Sequence, residues 1–129
     1  MPHLRIEYTG NVAEPGAMDA LCKDLALTLV RIEDGKGGLL FPLEGTRVLA
    51  CPAAHWAVGD GEKERGFVYL NLRIAPGRTA AQMKAAGDAL LARVESHFTS
   101  ARPACQLRVT LHIDVGMPVY EGKLAYSAP

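Results

Sequence analysis

The hydrophobic period of this chain switches from two to between three and four and back to two, and it does so twice. Leu4, Ile6 and Tyr8 alternate with His3, Arg5 and Glu7, which predicts a strand with one buried face. Glu14 to about Ile32 predicts a helix, with Pro15 in its first turn and one apolar stripe of Met18, Leu21, Cys22, Leu25, Leu29 and Ile32. Thr46 to Cys51 predicts a second strand, resuming over Ala53 to Val58 after Pro52, which implies a bulge or an edge position. Phe67 to Ile74 alternates again, with Val68, Leu70, Leu72 and Ile74 on one face and Phe67, Tyr69, Asn71 and Arg73 on the other. A second helix opens at Thr79, where Gln82 three residues on completes a capping box, and its stripe is Met83, Ala86, Leu90, Val94 and Phe98. Leu107, Val109, Leu111, Ile113 and Val115 then alternate without a fault.

This order is strand, helix, strand, repeated. Each helical segment has the length of a crossover, about 20 residues, as a parallel strand pair needs. The expected fold is α/β (α+β): two β-α-β units forming one four-stranded sheet with both helices on one face. A single domain over 1–129 is expected, with a pseudo-repeat of about 2–58 and 66–115 and a tail of 116–129. The other sheet face lacks cover within one chain and carries Phe67 and Tyr69, which favours self-association. Between the halves, Asp34-Gly35-Lys36-Gly37-Gly38 is expected to end the first helix in a flexible turn. It follows a helix, whereas a phosphate-binding loop follows a strand and opens a helix, so it is read as a helix terminator.

The 14 basic and 14 acidic residues cancel, which argues against nucleic-acid and membrane partners. Leu25 to Val30 is far too short to span a bilayer, and Arg5 and Glu7 make the start polar, so a cytoplasmic protein is expected. Cys22, Cys51 and Cys105 are odd in number and widely spaced, as reduced and mostly buried thiols would be.

His3, His55, His97 and His112 include no pair at ligand spacing, so no metal is expected. No nucleophile elbow is present and no cysteine has a basic setting. What remains is an amine. Pro2 follows the initiator methionine and shares parity with the buried face of the first strand. If Met1 is removed, Pro2 becomes a secondary amine, and α-amino groups titrate near 7.7–8.0, roughly where a general base is useful. Many chains begin Met-Pro without functional meaning, so spacing alone leaves this open. Arg47 at a strand start and Arg78 before a helix N-terminus suit carboxylate binding, against the alternative of surface ion pairs, and Arg73 is a third such residue on the face away from the helices.

The opening Pro2-His3-Leu4-Arg5-Ile6-Glu7-Tyr8-Thr9-Gly10-Asn11 resembles that of the 5-carboxymethyl-2-hydroxymuconate isomerases, members of the tautomerase superfamily, which typically open Pro-His-x-x-x-Glu-x-Ser-x-Asn. Thr9 stands in for the serine. Phe41 to Arg47, Phe67 to Ile74 and Gly77-Arg78-Thr79 continue the likeness, which runs from Pro2 to about Val115. The resemblance implies a tautomerase-like homotrimer and a cofactor-independent isomerase acting on an unsaturated 2-hydroxy/2-oxo polycarboxylate, 5-carboxymethyl-2-hydroxymuconate, in 4-hydroxyphenylacetate degradation. It implies Pro2 as general base and Arg47 and Arg78 as residues that hold substrate carboxylates. The segment Gly35 to Gly38 is longer than the family pattern, and Ala53-Ala54-His55-Trp56 follows it only loosely. The alternatives are a tautomerase acting on another enol or keto acid, and a non-catalytic trimeric scaffold with Met1 retained.

Overall fold

Six elements run in the order β1 (His3–Thr9), α1 (Pro15–Arg31), β2 (Arg47–Ala53), β3 (Arg65–Ile74), α2 (Ala80–Ser100) and β4 (Gln106–Val115), in a computed structural model that describes residues 1–12 and 14–129 and every side chain among them except those of residues 15 and 16. They form the expected strand–helix–strand unit twice. The sheet order is β2-β1-β3-β4. β1 pairs parallel with β2, and β3 pairs parallel with β4. The two units join through an antiparallel β1–β3 pair.

The alternating pattern explains which face is covered. Leu4 and Ile6 on β1 and Leu70 and Leu72 on β3 are fully buried beneath Leu21, Leu25 and Leu29 of α1 and Leu90 of α2. Each such side chain contributes about 1.5–3 kcal/mol on burial. The outer strands are less well covered. On β4, Leu107, Val109, Leu111 and Ile113 stay half-buried and Val115 is exposed. The helix-free face carries polar cross-strand pairs instead: the Tyr69 hydroxyl lies 2.9 Å from His112 Nδ1, and Asn71 Nδ2 donates to Asp114 Oδ2 at 2.6 Å.

Polar side chains lock the far end of β1. Thr9 is fully buried, and its hydroxyl oxygen accepts from the Phe67 amide at 3.1 Å. Asn11 Nδ2 donates to the carbonyls of Lys63 and Arg65 at 3.2 and 3.0 Å. Gly66 lies against both residues. A Cβ there would come within 2.7 Å of Cys105 Sγ and 2.9 Å of Thr9 Oγ1, so only glycine lets β3 start this close.

Three expectations are corrected. β2 does not resume over Ala53 to Val58. It runs unbroken through Pro52 and stops at Ala53, because β1, its one neighbour, ends opposite at Thr9. Pro52 is tolerated because β2 is an edge strand. The segment Asp34–Gly38 is not a flexible helix end. α1 stops at Arg31, and Glu33 and Leu39 close an antiparallel bridge around the segment. Asp34 Oδ1 accepts from the amides of Lys36 and Gly38 at 2.6 and 3.1 Å, while Gly35 and Gly37 take positive φ. The same amide bonds, that of Lys36 foremost, hold the Asp34 carboxyl below its ordinary pKa. The three cysteines are half-buried rather than buried, and all are free. Burial pushes the thiols of Cys22 and Cys105 up, away from reactive thiolate.

No helix among the described residues is long and apolar enough to cross a membrane. The capping box forms as expected. Thr79 Oγ1 accepts from the Gln82 amide at 3.1 Å, and Gln82 Oε1 accepts from the Thr79 amide at 2.9 Å. Gln82 Nε2 also donates to the Asp34 carbonyl at 3.0 Å, tying α2 to the bonded loop. Thr79→Ala is expected to lower the unfolding free energy by about 1 kcal/mol, measured by urea denaturation. An unchanged midpoint would mean that the cap carries no stability.

Candidate active site at the shared strand end

Register decides which segments meet. Parallel pairing sets the start of β2 beside the start of β1, with Arg47 opposite His3. Antiparallel pairing brings the end of β3 to the same place, with Arg73 opposite His3 on the other side. Parallel β3–β4 pairing adds the end of β4, where Asp114 faces Arg73. The N-terminus, the loop before β2, the β3–α2 turn and the C-terminal tail therefore share one end of the sheet. A cleft of ≈ 450 Å³ opens there, lined by Met1, His3, Arg47, Arg73 and Glu121 among others.

Pro2 precedes β1 and is buried, as its parity predicted. Its carbonyl accepts from the Arg47 amide at 3.1 Å, so β2 is anchored to the residue before the strand proper. Met1 lies over Gly45. A Cβ on Gly45 would stand 3.3 Å from Met1 Cγ and Sδ. The Met1 amine is pushed below its ordinary pKa of 8.0, first by burial and then by Arg78, with smaller contributions from Lys123 and Arg47; Glu121 opposes the shift.

The two arginines reach this end differently. Arg47 is exposed, and its side chain shares the helix-free face with His3. Arg78 follows Gly77, whose φ of 115° turns the chain out of β3 toward α2. Its guanidinium donates to the carbonyls of Ala75 and Leu40, both at 3.2 Å, and stacks 4.9 Å from the centre of the buried Phe41 ring. Arg78 is thus half-buried and tied to two loops, while its charge still acts on the N-terminus. The structure brings Pro2, Arg47 and Arg78 to one end, with Arg47 on the open face and Arg78 bonded within the loops.

Three nearby residues were not predicted. His3 sits between Arg47 and Arg73, a position its polar parity in β1 could have signalled. Glu121 and Lys123 come from the tail, which has no periodicity to read. They pair at 2.6 Å, and Lys123, by that contact, holds the Glu121 carboxyl below its ordinary pKa. His97, at the other end of α2, is half-buried, and burial lowers its pKa against the opposing charge of Asp24.

Residues 2–125 match the family model for 5-carboxymethyl-2-hydroxymuconate isomerase. A solved 5-carboxymethyl-2-hydroxymuconate delta-isomerase is 36% identical with a TM-score of 0.86, covering 97% of this chain and 89% of its own. A 5-carboxymethyl-2-hydroxymuconate isomerase from Deinococcus radiodurans R1 is 30% identical with a TM-score of 0.80, covering 95% and 88%. A symmetric trimer of a wild-type fused 4-OT protein shares the fold at 23% identity and a TM-score of 0.63, covering 94% of each chain. No curated protein matches the chain. The chain belongs to the 5-carboxymethyl-2-hydroxymuconate isomerase family, and it is an isomerase.

Proposed function

We propose that the protein is a 5-carboxymethyl-2-hydroxymuconate delta-isomerase that works without a cofactor and uses Pro2, freed by removal of Met1, as its general base. The observation that carries this reading is the setting of the N-terminus. The Met1 amine, one residue before the Pro2 nitrogen, is partly buried near Arg78, Lys123 and Arg47, where a proton is disfavoured, and a freed Pro2 amine would meet the same cations. A neutral amine at this position takes the proton from the 2-hydroxyl of the dienol. The O–H bond breaks, the electron pair moves through the diene, and the same proton returns to its far carbon, giving a conjugated ketone. Nothing is oxidised or reduced. Arg47 and Arg78 bind carboxylates and stabilise the dienolate charge as it develops, the electrostatic half of the catalysis. While Met1 is attached, the Pro2 nitrogen is an amide and has no basicity.

The same reading assigns a homotrimer. It is supported by the half-covered edge strands β2 and β4 and by the fold likeness to a trimeric structure. Light scattering of the purified protein is expected to give three chains per particle; a monomer at assay concentration would remove the trimer from the proposal.

Intact mass of the protein from its native host is expected to lack one methionine, and Pro2→Ala is expected to lose about 10²–10⁴-fold in kcat/KM, the usual worth of a general base. Ultraviolet absorbance of the dienol follows both enzymes. Equal turnover, or a retained Met1 in an active enzyme, would rule out Pro2 as base.

The pH profile has a definite sign. The neutral amine is the active form, so kcat/KM rises with pH and levels off above the amine pKa. The same burial and cations that lower the pKa of the Met1 amine would destabilise a Pro2 ammonium, so the limb is expected at lower pH than for an unperturbed N-terminal proline. Arg47→Gln removes a cation, raises that pKa and moves the limb to higher pH. A limb that stays in place would mean that Arg47 does not act on the amine.

A further inference from the structure

The helix-free side of the same strand end carries a row of three basic residues of which the proposed function uses only Arg47. Arg47, His3 and Arg73 stand side by side on β2, β1 and β3, each directly opposite the next in register. Residues paired directly across strands share a face, so all three side chains project to one side. Adjacent strands lie about 4.8 Å apart, which sets the two arginine Cα atoms about 10 Å apart with the imidazole between them. All three line the cleft that also contains Met1.

Two guanidinium groups this close would ordinarily be matched by carboxylates of the chain. Here they are not. Among the described residues neither Arg47 nor Arg73 makes an ion pair. Asp114 faces Arg73 across β3 and β4, yet its carboxylate is bonded by Asn71 at 2.6 Å. Glu121 lines the cleft, but Lys123 holds it at 2.6 Å. Asn71 is neutral and leaves Asp114 its charge beside Arg73, but no carboxylate among the described residues closes an ion pair on either arginine, and both guanidinium groups remain open to a ligand.

Arg73 is also positioned. The chain leaves β4 at Gly116, whose amide donates to the Ile74 carbonyl at 2.9 Å. This bond draws the tail backbone across the Arg73 guanidinium. A Cβ on Gly116 would stand 2.6 Å from Arg73 Nη2. Gly116 is not at positive φ, so a side chain there would meet no backbone strain and would instead displace the flexible end of Arg73.

We infer that Arg73, which lies close under Gly116, forms with His3 and Arg47 a second carboxylate subsite that selects substrates bearing three carboxylates over those bearing two. This rests on the function proposed above and deepens it. Arg78 is not part of the row; it is bonded to the Leu40 and Ala75 carbonyls and serves a different carboxylate. Arg73 is a specificity residue, and Gly116 is a positioning residue that acts through it.

The test compares 5-carboxymethyl-2-hydroxymuconate, with three carboxylates, and 2-hydroxymuconate, with two. In Arg73→Gln, kcat/KM is expected to fall at least ~10-fold more for the first than for the second, the loss lying in KM, as removal of one charged hydrogen-bonding partner predicts. Arg73→Lys is expected to recover part of the selectivity. Gly116→Ala is expected to shift selectivity in the same direction, with circular dichroism unchanged. Equal losses on both substrates, or none, would overturn the subsite. Calorimetry with tricarballylate and glutarate reads the row without turnover: wild type is expected to prefer the tricarboxylate and Arg73→Gln to lose that preference. If neither dienol is turned over but this preference holds, the delta-isomerase assignment fails and the subsite stands. If the dienols react and the preference is absent, the reverse applies.

Discussion

Backbone pairing along both edges of β1 is the constraint on which everything functional depends. One edge is parallel and the other antiparallel. That mixture carries the starts of two strands and the ends of two others to one boundary of the sheet. Four segments far apart in sequence meet there without a domain interface or a long excursion. The strand also has one side fully buried. A slip of one residue would bury His3 and turn Pro2 toward the open face. The same apolar packing that holds β1 in register therefore orients the amine, and the core of Leu4 and Ile6 is a condition for the chemistry as much as for folding.

A chain of zero formal charge still builds a strongly positive locality. Arg47, Arg73 and Arg78 gather at one end, where Lys123 pairs with Glu121 and Asn71 bonds Asp114. Net charge describes long-range steering and solubility. It carries no information on such a cluster, which arises from topology. Arg78 has a double role within it. Its two carbonyl contacts and its stack on Phe41 join the segment before β2 to the turn after β3. Removing it would loosen both loops and discharge the site together, so a lost activity in an Arg78 variant would not by itself identify a carboxylate ligand.

Most of the fold was legible because each strand has a buried face and each helix a stripe. Period two and period 3.6 are imposed by burial, so Val68 to Ile74 and Leu107 to Val115 could be read directly. The Thr79 cap was legible for a local reason: its partners lie within three residues. What failed was non-local. The end of β2 is set by where β1 stops, which the residues of β2 do not encode. The Asp34 loop presents glycines that read as a helix stop, whereas a carboxylate and a bridge between Glu33 and Leu39 organise it. At the site, Pro2, Arg47 and Arg78 carried motif or parity signals. Glu121 and Lys123 did not, because an extended tail without periodicity gives no clue to where it lies. Their relation to the N-terminus is a property of the folded chain alone.

Gly45 bears on what removal of Met1, as proposed, would do to the site. With no side chain of its own, it offers a flat seat on which the Met1 thioether rests, next to Pro42. Cleavage of the first peptide bond would empty that seat at the moment it uncovers the ring nitrogen of Pro2. The vacated volume is apolar, floored by backbone and bordered by cations. A planar, conjugated carbon chain with charged ends has the shape and polarity to fill it. If Pro2 is the base, as proposed, the space that Met1 leaves and the amine it uncovers become available together.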